Sequence, residues 1–212
     1  MIMENGEADI VRRFVEACRE LDRRGLVRCS SGNMSWRIDG GRMVVSRTRS
    51  WLGNLTEEDV AICSIADGES LNGVRPTVEV RFHAGILRSR PDVNAVLHYQ
   101  ATFSTLMACR PQDDVNYNVI PEIPFYIGPI GGVPFLMPGT AALADAVVSE
   151  MAAHDLVQMA NHGQVAVAAD FAHALQNAEF FELACRIIVE LGGRVRLLPE
   201  EAVRALAAGN SI

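Results

Sequence analysis

The chain has 212 residues, of which 49% are hydrophobic and 21% charged, a composition typical of one globular domain, expected over residues 1–212, and not of a disordered or fibrous protein. The formal net charge of -7 disfavours a nucleic-acid partner, and we find no signal sequence and no apolar run of the ~18 to 20 residues that a membrane helix needs. Five dispersed cysteines without a CxxC pair indicate reduced thiols, so we expect a cytoplasmic protein.

The first third of the chain predicts a helix, a β-hairpin and a strand. Apolar positions recur at helical spacing over residues 8–24. Residues 34–38 and 43–47 flank an Asp-Gly-Gly turn, which is hairpin chemistry. Residues 56–59 resemble a capped helical turn, and they lead into an apolar strand over residues 60–65.

Helices and short strands alternate along the rest of the chain. Helices are predicted over residues 78–88, 102–109, 141–153, 171–191 and 200–208, and strands over residues 94–98, 156–160 and 164–169. Residues 111–139 hold six of the nine prolines, so extended segments and loops are expected there. Because hairpin and loop signals outnumber βαβ units, the sequence predicts an α/β fold with α/β/α layers on a largely antiparallel or mixed sheet.

Two histidines lie at the ends of predicted strands. His98 ends an apolar strand, Gln100 shares its face of the strand, and His162 lies between two apolar strands in Asn161-His-Gly163. Two imidazoles pointing into one cleft would suit a borderline metal such as zinc. A histidine at the end of a core strand is more often a hydrogen-bonded structural residue, so spacing alone leaves both interpretations open.

Glu79 opens the predicted helix after Pro76-Thr77-Val78. A carboxylate in the first turn is favoured by the helix dipole, so it is either a capping residue or a general acid/base beside a metal. Glu79 and His83 have the i and i+4 spacing of one helix face. Such a pair can chelate a metal, but the spacing favours a plain surface pair.

Two segments have the composition of anion-binding loops. Ser30-Ser-Gly-Asn33 combines small hydroxyls, a glycine and an amide, which can wrap an anion through backbone N–H groups. Ser46-Arg-Thr-Arg-Ser50 interleaves three hydroxyls with two arginines, the residue type suited to bidentate binding of phosphate or carboxylate. Either segment alone is also compatible with a simple turn, but together they favour an anionic substrate.

These motifs, in this order, resemble the class II aldolase/adducin family, which includes L-fuculose-phosphate aldolase. The resemblance runs from about residue 8 to about residue 192. Its most specific segments are Cys29-Ser-Ser-Gly-Asn-Met-Ser35, Pro76-Thr-Val-Glu79, Arg90-Pro-Asp-Val-Asn-Ala-Val-Leu-His98 and Met159-Ala-Asn-His-Gly163.

The resemblance implies a fold, an assembly and a site. The family fold is an α/β/α sandwich around a mostly antiparallel sheet, assembled as a homotetramer with sites at subunit interfaces. The family's zinc is held by three histidines, two of which correspond to His98 and His162, and its catalytic glutamate corresponds to Glu79. A catalytic tyrosine of the aldolases aligns loosely with Tyr117. The phosphate-binding positions correspond to Gly32, Asn33, Ser46, Thr48 and Thr77.

The sequence departs from the family pattern at Gln100, in one loop and at Val78. Gln100 stands where the family has the second histidine of His-x-His, and its neutral amide oxygen is a poorer zinc ligand than imidazole. The phosphate loop Thr-Pro-Ser-Gly is replaced by Ser46-Arg-Thr-Arg49, and Val78 stands where the family has a second serine.

The resemblance therefore predicts a metal-dependent lyase, an aldolase that cleaves or forms a ketose 1-phosphate of the L-fuculose-1-phosphate type. The cofactor would be Zn²⁺ or another divalent metal, and the reaction would pass through a metal-stabilised enediolate. A sugar-phosphate epimerase, dehydratase or decarboxylase of the same family is an alternative. A non-catalytic, adducin-like interaction module is another, to which the loss of the histidine at Gln100 gives weight.

Overall fold

The computed structural model describes residues 5–111 and 115–209. Six α-helices, here α1 to α6, span Asn5–Arg23, Val80–Ser89, Thr102–Ala108, Ala141–Glu150, Phe171–Glu190 and Glu200–Gly209. Each of them corresponds to a helix that the hydrophobic spacing predicts. The first ends just before Gly25, whose φ of +71° is a backbone conformation that glycine adopts without a steric penalty.

Seven strands form one sheet. Strands β1 to β7 span Asn33–Arg37, Arg42–Ser46, Val60–Ser64, Ala95–Tyr99, Gly131–Val133, Leu156–Met159 and Gly163–Ala168. Their order across the sheet is β3-β2-β1-β4-β7-β6-β5, and all neighbours are antiparallel except the β5–β6 pair. The predicted hairpin is β1–β2, in which Ser35 pairs with Val45.

Each face of the sheet carries its own hydrophobic core. On one face, β1, β2 and β4 pack against α1 and α5, with Phe14, Leu97 and Phe181 buried. On the other face, the sheet packs against α2 and α4, with Phe82 and Val96 buried. Leu97 and Val96 are consecutive residues of β4 that point to opposite layers, as the period of a strand requires. The α/β/α sandwich with a mostly antiparallel sheet is confirmed.

The proline-rich region is more ordered than its composition predicts. Its residues 112–114 lie outside the described part of the chain. In the remainder, a short π-helical segment spans Ile123–Ile127, and β5 adds a strand to the edge of the sheet. Prolines are compatible with both elements because they lie near a helix start or outside the ladder.

None of the helices in the described ranges combines the length and the apolar composition that crossing a bilayer requires.

Candidate active site

A buried carboxylate and two imidazoles meet beside the centre of the sheet. Glu79 precedes α2, His98 lies in β4, and His162 lies in the turn between β6 and β7. Their ligand atoms all lie within 4.8 Å of one another. Glu79 Oε2 is 3.5 Å from Nε2 of His98, and Glu79 Oε1 is 3.5 Å from Nε2 of His162. The fold thus brings together three residues that are far apart in the sequence.

The sheet determines which nitrogen of His98 faces this cluster. Nδ1 of His98 lies 2.9 Å from the carbonyl oxygen of Gln164 on β7, so Nδ1 carries a proton and donates it. In a neutral imidazole the lone pair then lies on Nε2, which faces Glu79. Burial lowers the pKa of His162 to about 4, with nearby His98 acting in the same direction and Glu79 opposing it. His162 is therefore neutral near pH 7 and has a lone pair to offer.

The donor set fits a divalent cation. A carboxylate oxygen and two imidazole lone pairs in close contact repel one another unless a positive charge lies between them. Glu79 Oε1 is buried and has no hydrogen-bond partner among the described residues. Ligand atoms around tetrahedral zinc lie roughly 3.3 Å apart, close to the 3.5 Å separations seen here.

Gln100 follows β4 and lies beside the two histidines. Its side chain crosses Gly163, because a Cβ added to that glycine would lie 2.8 Å from Gln100 Cγ and 3.1 Å from His98 Cε1. The same Cβ would lie 2.6 Å from the carbonyl oxygen of Tyr99. Glycine at position 163 therefore allows β4 and β7 to bring both strand ends to the cluster.

A chain of buried hydrogen bonds holds the Glu79 carboxylate from behind. Asn33 Nδ2 donates to Glu79 Oε2 at 2.8 Å, and Asn33 Oδ1 lies 2.5 Å from Nε2 of His83. Nδ1 of His83 lies 2.8 Å from Oγ of Ser35. Burial lowers the pKa of His83 to about 3, and the neighbouring His98 adds to this effect. The expectation that Glu79 and His83 form a surface pair is wrong, since Glu79 is 5% and His83 0% exposed.

The sequence contains part of the signal for this chain of hydrogen bonds. Asn33 and Ser35 have the i, i+2 spacing of one strand face, and Glu79 and His83 have the i, i+4 spacing of one helix face. Both pairs are polar positions beside buried apolar ones. The spacings indicate which residues share a face, but they do not indicate that the two faces meet inside the protein.

The positions predicted to bind phosphate lie at the edge of the cluster. The Thr77 N–H donates to the carbonyl oxygen of Ser46 at 3.0 Å, and Thr77 Oγ1 accepts from the N–H of Glu79 at 3.3 Å. Thr48 is half-buried, and its N–H donates to the carbonyl oxygen of Arg75 at 3.1 Å. The segments that carry Thr48 and Thr77 therefore run side by side, next to the carboxylate.

Gly32 and Ser46 contact the backbone of neighbouring strands. Gly32 has a φ of +78°, and a Cβ there would lie 2.8 Å from the carbonyl oxygen of His98 and 2.6 Å from Val27 Cγ1. Ser46 is fully buried, and its Oγ accepts from the N–H of Met34 at 3.3 Å. Both residues therefore hold the β1 and β2 backbones close to the site.

A cationic cleft of about 840 Å³ adjoins Thr48. Arg47, Arg49 and Arg75 line it together with Trp51, and Arg47 donates to Asp59 at 3.2 Å. The backbone of Arg49 has a φ of +60°, in the left-handed region that favours glycine. Three guanidinium groups against one carboxylate give the cleft a net positive charge suited to an anionic ligand.

Tyr117 packs against the core that contains Leu97, on the face of the sheet opposite to the one toward which His98 points. Its hydroxyl donates to Gln158 Oε1 at 2.8 Å, and its ring centroid lies 4.9 Å from that of Phe181. Burial raises the pKa of Tyr117 well above its ordinary value. Tyr117 and Gln158 line a separate cavity of about 700 Å³. Of the residues predicted to act in catalysis, Glu79 lies with the histidines and Tyr117 does not.

Most of the chain is similar in sequence to known proteins. The family model described as "Class II Aldolase and Adducin N-terminal domain" matches residues 12–189. A 3-oxo-tetronate 4-phosphate decarboxylase from Escherichia coli is 32% identical over 189 residues, which cover 88% of this chain and 85% of that protein. An L-fuculose phosphate aldolase from Methanocaldococcus jannaschii is 30% identical over 174 residues, which cover 81% of this chain and 91% of that protein.

Solved structures share the fold. The crystal structure of YgbL from Klebsiella pneumoniae superposes with a TM-score of 0.88 at 27% identity, covering 94% of this chain and 98% of that one. An L-fuculose 1-phosphate aldolase superposes with a TM-score of 0.84 at 22% identity, covering 96% and 97%.

Proposed function

Because the chain belongs to the class II aldolase and adducin family, we propose that it is a metal-dependent lyase that decarboxylates a 3-oxo sugar-acid phosphate of the 3-oxo-tetronate 4-phosphate type. One observation carries the proposal: one oxygen of the buried Glu79 carboxylate receives no hydrogen bond from the described part of the chain and lies 3.5 Å from an imidazole nitrogen. A carboxylate in that position can hold a cation or move a proton at a bound carbon. The decarboxylase relatives support the choice of reaction.

His98, His162 and Oε2 of Glu79 would hold the cation, with Gln100 as a weaker ligand through its amide oxygen, and Oε1 of Glu79 would remain available to the substrate. Zn²⁺ suits the two imidazoles, although other divalent metals use the same donors. When bound, such a cation supplies positive charge that stabilises an oxyanion on the substrate. The hydrogen bond from His98 to the Gln164 carbonyl keeps the ligand nitrogen oriented.

The chemistry at Glu79 follows from the structure of the substrate. In a 3-oxo-tetronate 4-phosphate, the C1–C2 bond breaks and C1 leaves as CO₂. The electron pair of that bond stays on C2 and is shared with the C3 carbonyl, which gives an enediolate across C2 and C3. One proton, taken up from solvent, is added at C2 to give dihydroxyacetone phosphate. Glu79 Oε1 would deliver that proton, since no hydrogen bond from the described residues occupies it.

The phosphate would lie beside Gly32, Asn33, Ser46, Thr48 and Thr77. Thr48 and Thr77 border the site directly, whereas Gly32 and Ser46 would contribute mainly through the backbone. The guanidinium groups of the cationic cleft would add charge for a dianionic group. In this proposal the phosphate end of the substrate would extend toward the cationic cleft, and the breaking bond would lie near Glu79.

The position of Tyr117 favours decarboxylation over aldol cleavage. Aldol cleavage of a ketose 1-phosphate gives the same enediolate, but it also needs a group that takes a proton from the hydroxyl of the leaving aldehyde. Decarboxylation releases neutral CO₂ and needs no such group. Tyr117 donates its proton to Gln158 and lies against Phe181, and burial raises its pKa, so it is poorly suited to that task.

Aldol cleavage of a ketose 1-phosphate is the second candidate, because the aldolase from Methanocaldococcus jannaschii is also 30% identical. Both candidates form dihydroxyacetone phosphate, so the discriminating product is the other fragment. Metal-loaded protein is therefore incubated separately with 3-oxo-tetronate 4-phosphate and with ketose 1-phosphates. We expect one CO₂ for each dihydroxyacetone phosphate in the first case. Cleavage of a ketose 1-phosphate without CO₂ release from the acid would favour the aldolase, and turnover of neither would refute both.

We also propose a homotetramer that brings a neighbouring subunit to the site. Trp51 and Val78 line the cationic cleft, and their side chains are 54% and 53% exposed. Gly139 lies against Val78, and Met137, two residues before Gly139, is 64% exposed. Large apolar side chains exposed together are typical of a contact surface. Light scattering after gel filtration tests the assembly, and a monomer at micromolar concentration would contradict it.

A further inference from the structure

We propose that His83 and Ser35 are positioning residues that act through Asn33 to hold the plane of the Glu79 carboxylate, so that one oxygen stays directed at His162 and available for proton transfer. The inference rests on the proposed function only in assigning Glu79 as the proton donor. It concerns two side chains that lie behind the carboxylate and are fully buried.

The direction of every hydrogen bond in this chain of groups follows from one constraint. An ionised carboxylate can only accept, so Asn33 must turn its amide nitrogen toward Glu79 Oε2. The Asn33 amide oxygen then faces His83, and Nε2 of His83 must donate to it. The remaining nitrogen, Nδ1, accepts from the hydroxyl of Ser35. Only one tautomer of neutral His83 satisfies both neighbours.

The fold supplies the four side chains in two matched pairs. Asn33 and Ser35 lie two residues apart on β1, and Glu79 and His83 lie one helical turn apart at the start of α2. The Phe82 ring stacks on the imidazole of His83, with centroids 4.6 Å apart, and lies edge-on to that of His98 at 6.1 Å. Both ring nitrogens of His83 are engaged by Asn33 and Ser35, so His83 acts on the carboxylate through its hydrogen bond to Asn33.

The consequence is an asymmetric carboxylate. Oε2 of Glu79 receives the Asn33 amide, whereas Oε1 receives no hydrogen bond from the described residues and lies 3.5 Å from Nε2 of His162. The Asn33 amide fixes the plane of the carboxylate and so keeps one oxygen directed at His162. Asn33 can do this only while its own orientation is held by a donor on the other side, and His83 is that donor.

Three variants test the inference. His83→Leu removes the donor to Asn33, whereas His83→Gln can keep the pattern, since its amide nitrogen can donate to Asn33 and its oxygen can accept from Ser35. Ser35→Ala removes only the outermost hydrogen bond. We expect kcat to fall roughly 10- to 100-fold in His83→Leu with KM changed less than about twofold, and to recover to within a few-fold of the wild type in His83→Gln. Ser35→Ala should give an intermediate loss.

Metal content and the thermal unfolding temperature are measured on the same preparations. Equal losses in His83→Leu and His83→Gln, or a kcat in His83→Leu close to that of the wild type, would overturn the inference. A loss of kcat that follows metal content or unfolded fraction would also overturn it, because the effect would then be structural.

Crystal structures of the two His83 variants separate this inference from the proposed reaction, because they require no turnover. We expect the Asn33 amide to rotate and its contact with Glu79 Oε2 to be lost in His83→Leu and kept in His83→Gln. If neither candidate substrate is turned over but the contact behaves in this way, the proposed function fails and the positioning role stands. If the contact persists in His83→Leu, the positioning role fails whatever the reaction is.

Discussion

Buried His83 should make the protein sensitive to mild acid. The pKa of His83 is lowered from 6.5 to about 3 in the folded protein, chiefly by burial. Above pH 6.5 the imidazole is neutral in both the folded and the unfolded chain and contributes no pH dependence. As the pH falls below 6.5, only the unfolded chain takes up the proton, so stability is lost between pH 6.5 and pH 3.

The loss of stability follows from the number of pH units between the assay pH and the unfolded-state pKa of His83. Each pH unit between the two pKa values costs 1.36 kcal/mol, so at pH 5 the loss attributable to His83 is about 2 kcal/mol. The assay is urea unfolding of metal-free protein at pH 7.5 and pH 5, at one protein concentration, for the wild type and His83→Gln. Other titrating groups, His162 among them, are common to both proteins, so their contributions largely cancel.

The wild type should lose about 2 kcal/mol more than His83→Gln between the two pH values. An equal loss in both proteins would refute the reasoning, because it would mean that His83 is solvated or already paired with a charge in the folded state. A larger loss in the variant would contradict even the sign of the effect.

The other predictions concern the metal site, the strand contact beside it and the cationic cleft. Glu79→Gln should lower kcat by at least about 100-fold while metal is retained through the two histidines, and near-normal turnover would exclude Glu79 as the proton donor. Gly163→Ala should lower metal content and the unfolding temperature because its Cβ would lie 2.6 Å from the Tyr99 carbonyl oxygen, whereas Gly132→Ala, with nothing within 4 Å, should change neither. Arg49→Gly should relieve up to about 1 kcal/mol of left-handed strain yet raise KM for the phosphorylated substrate about tenfold, and an unchanged KM would remove this arginine from the binding site.

Hydrophobic periodicity predicted the order of the main helices and strands, because each element has one face against a core. The helix over residues 171–191 and the strand over residues 94–98 agree with α5 and β4 to within about one residue at each end. The proline-rich region was predicted less well. There, β5 takes its place in the sheet through a parallel pairing with β6, a contact distant in sequence that no local pattern indicates.

The sequence predicted the strand-end histidines of the site better than it predicted the surroundings of Glu79 and Tyr117, because those depend on contacts between distant segments. His98 and His162 could be placed at strand ends, and the β4–β7 pairing brings those ends together. The i, i+4 spacing of Glu79 and His83 identified a shared helix face, but spacing does not tell whether that face meets solvent or the sheet. Tyr117 lies in a segment without regular spacing, so the direction of its side chain, toward Gln158, depends on packing that only the folded chain provides.

The central claim is that Glu79, His98 and His162 share one divalent cation. Anomalous diffraction from zinc-soaked crystals of the wild type, recorded on both sides of the zinc absorption edge, tests it directly. We expect one strong peak per chain about 2 Å from Nε2 of both histidines and from a Glu79 oxygen, absent in His98→Ala crystals. A peak elsewhere, or none at the three side chains at saturating zinc, would contradict the account.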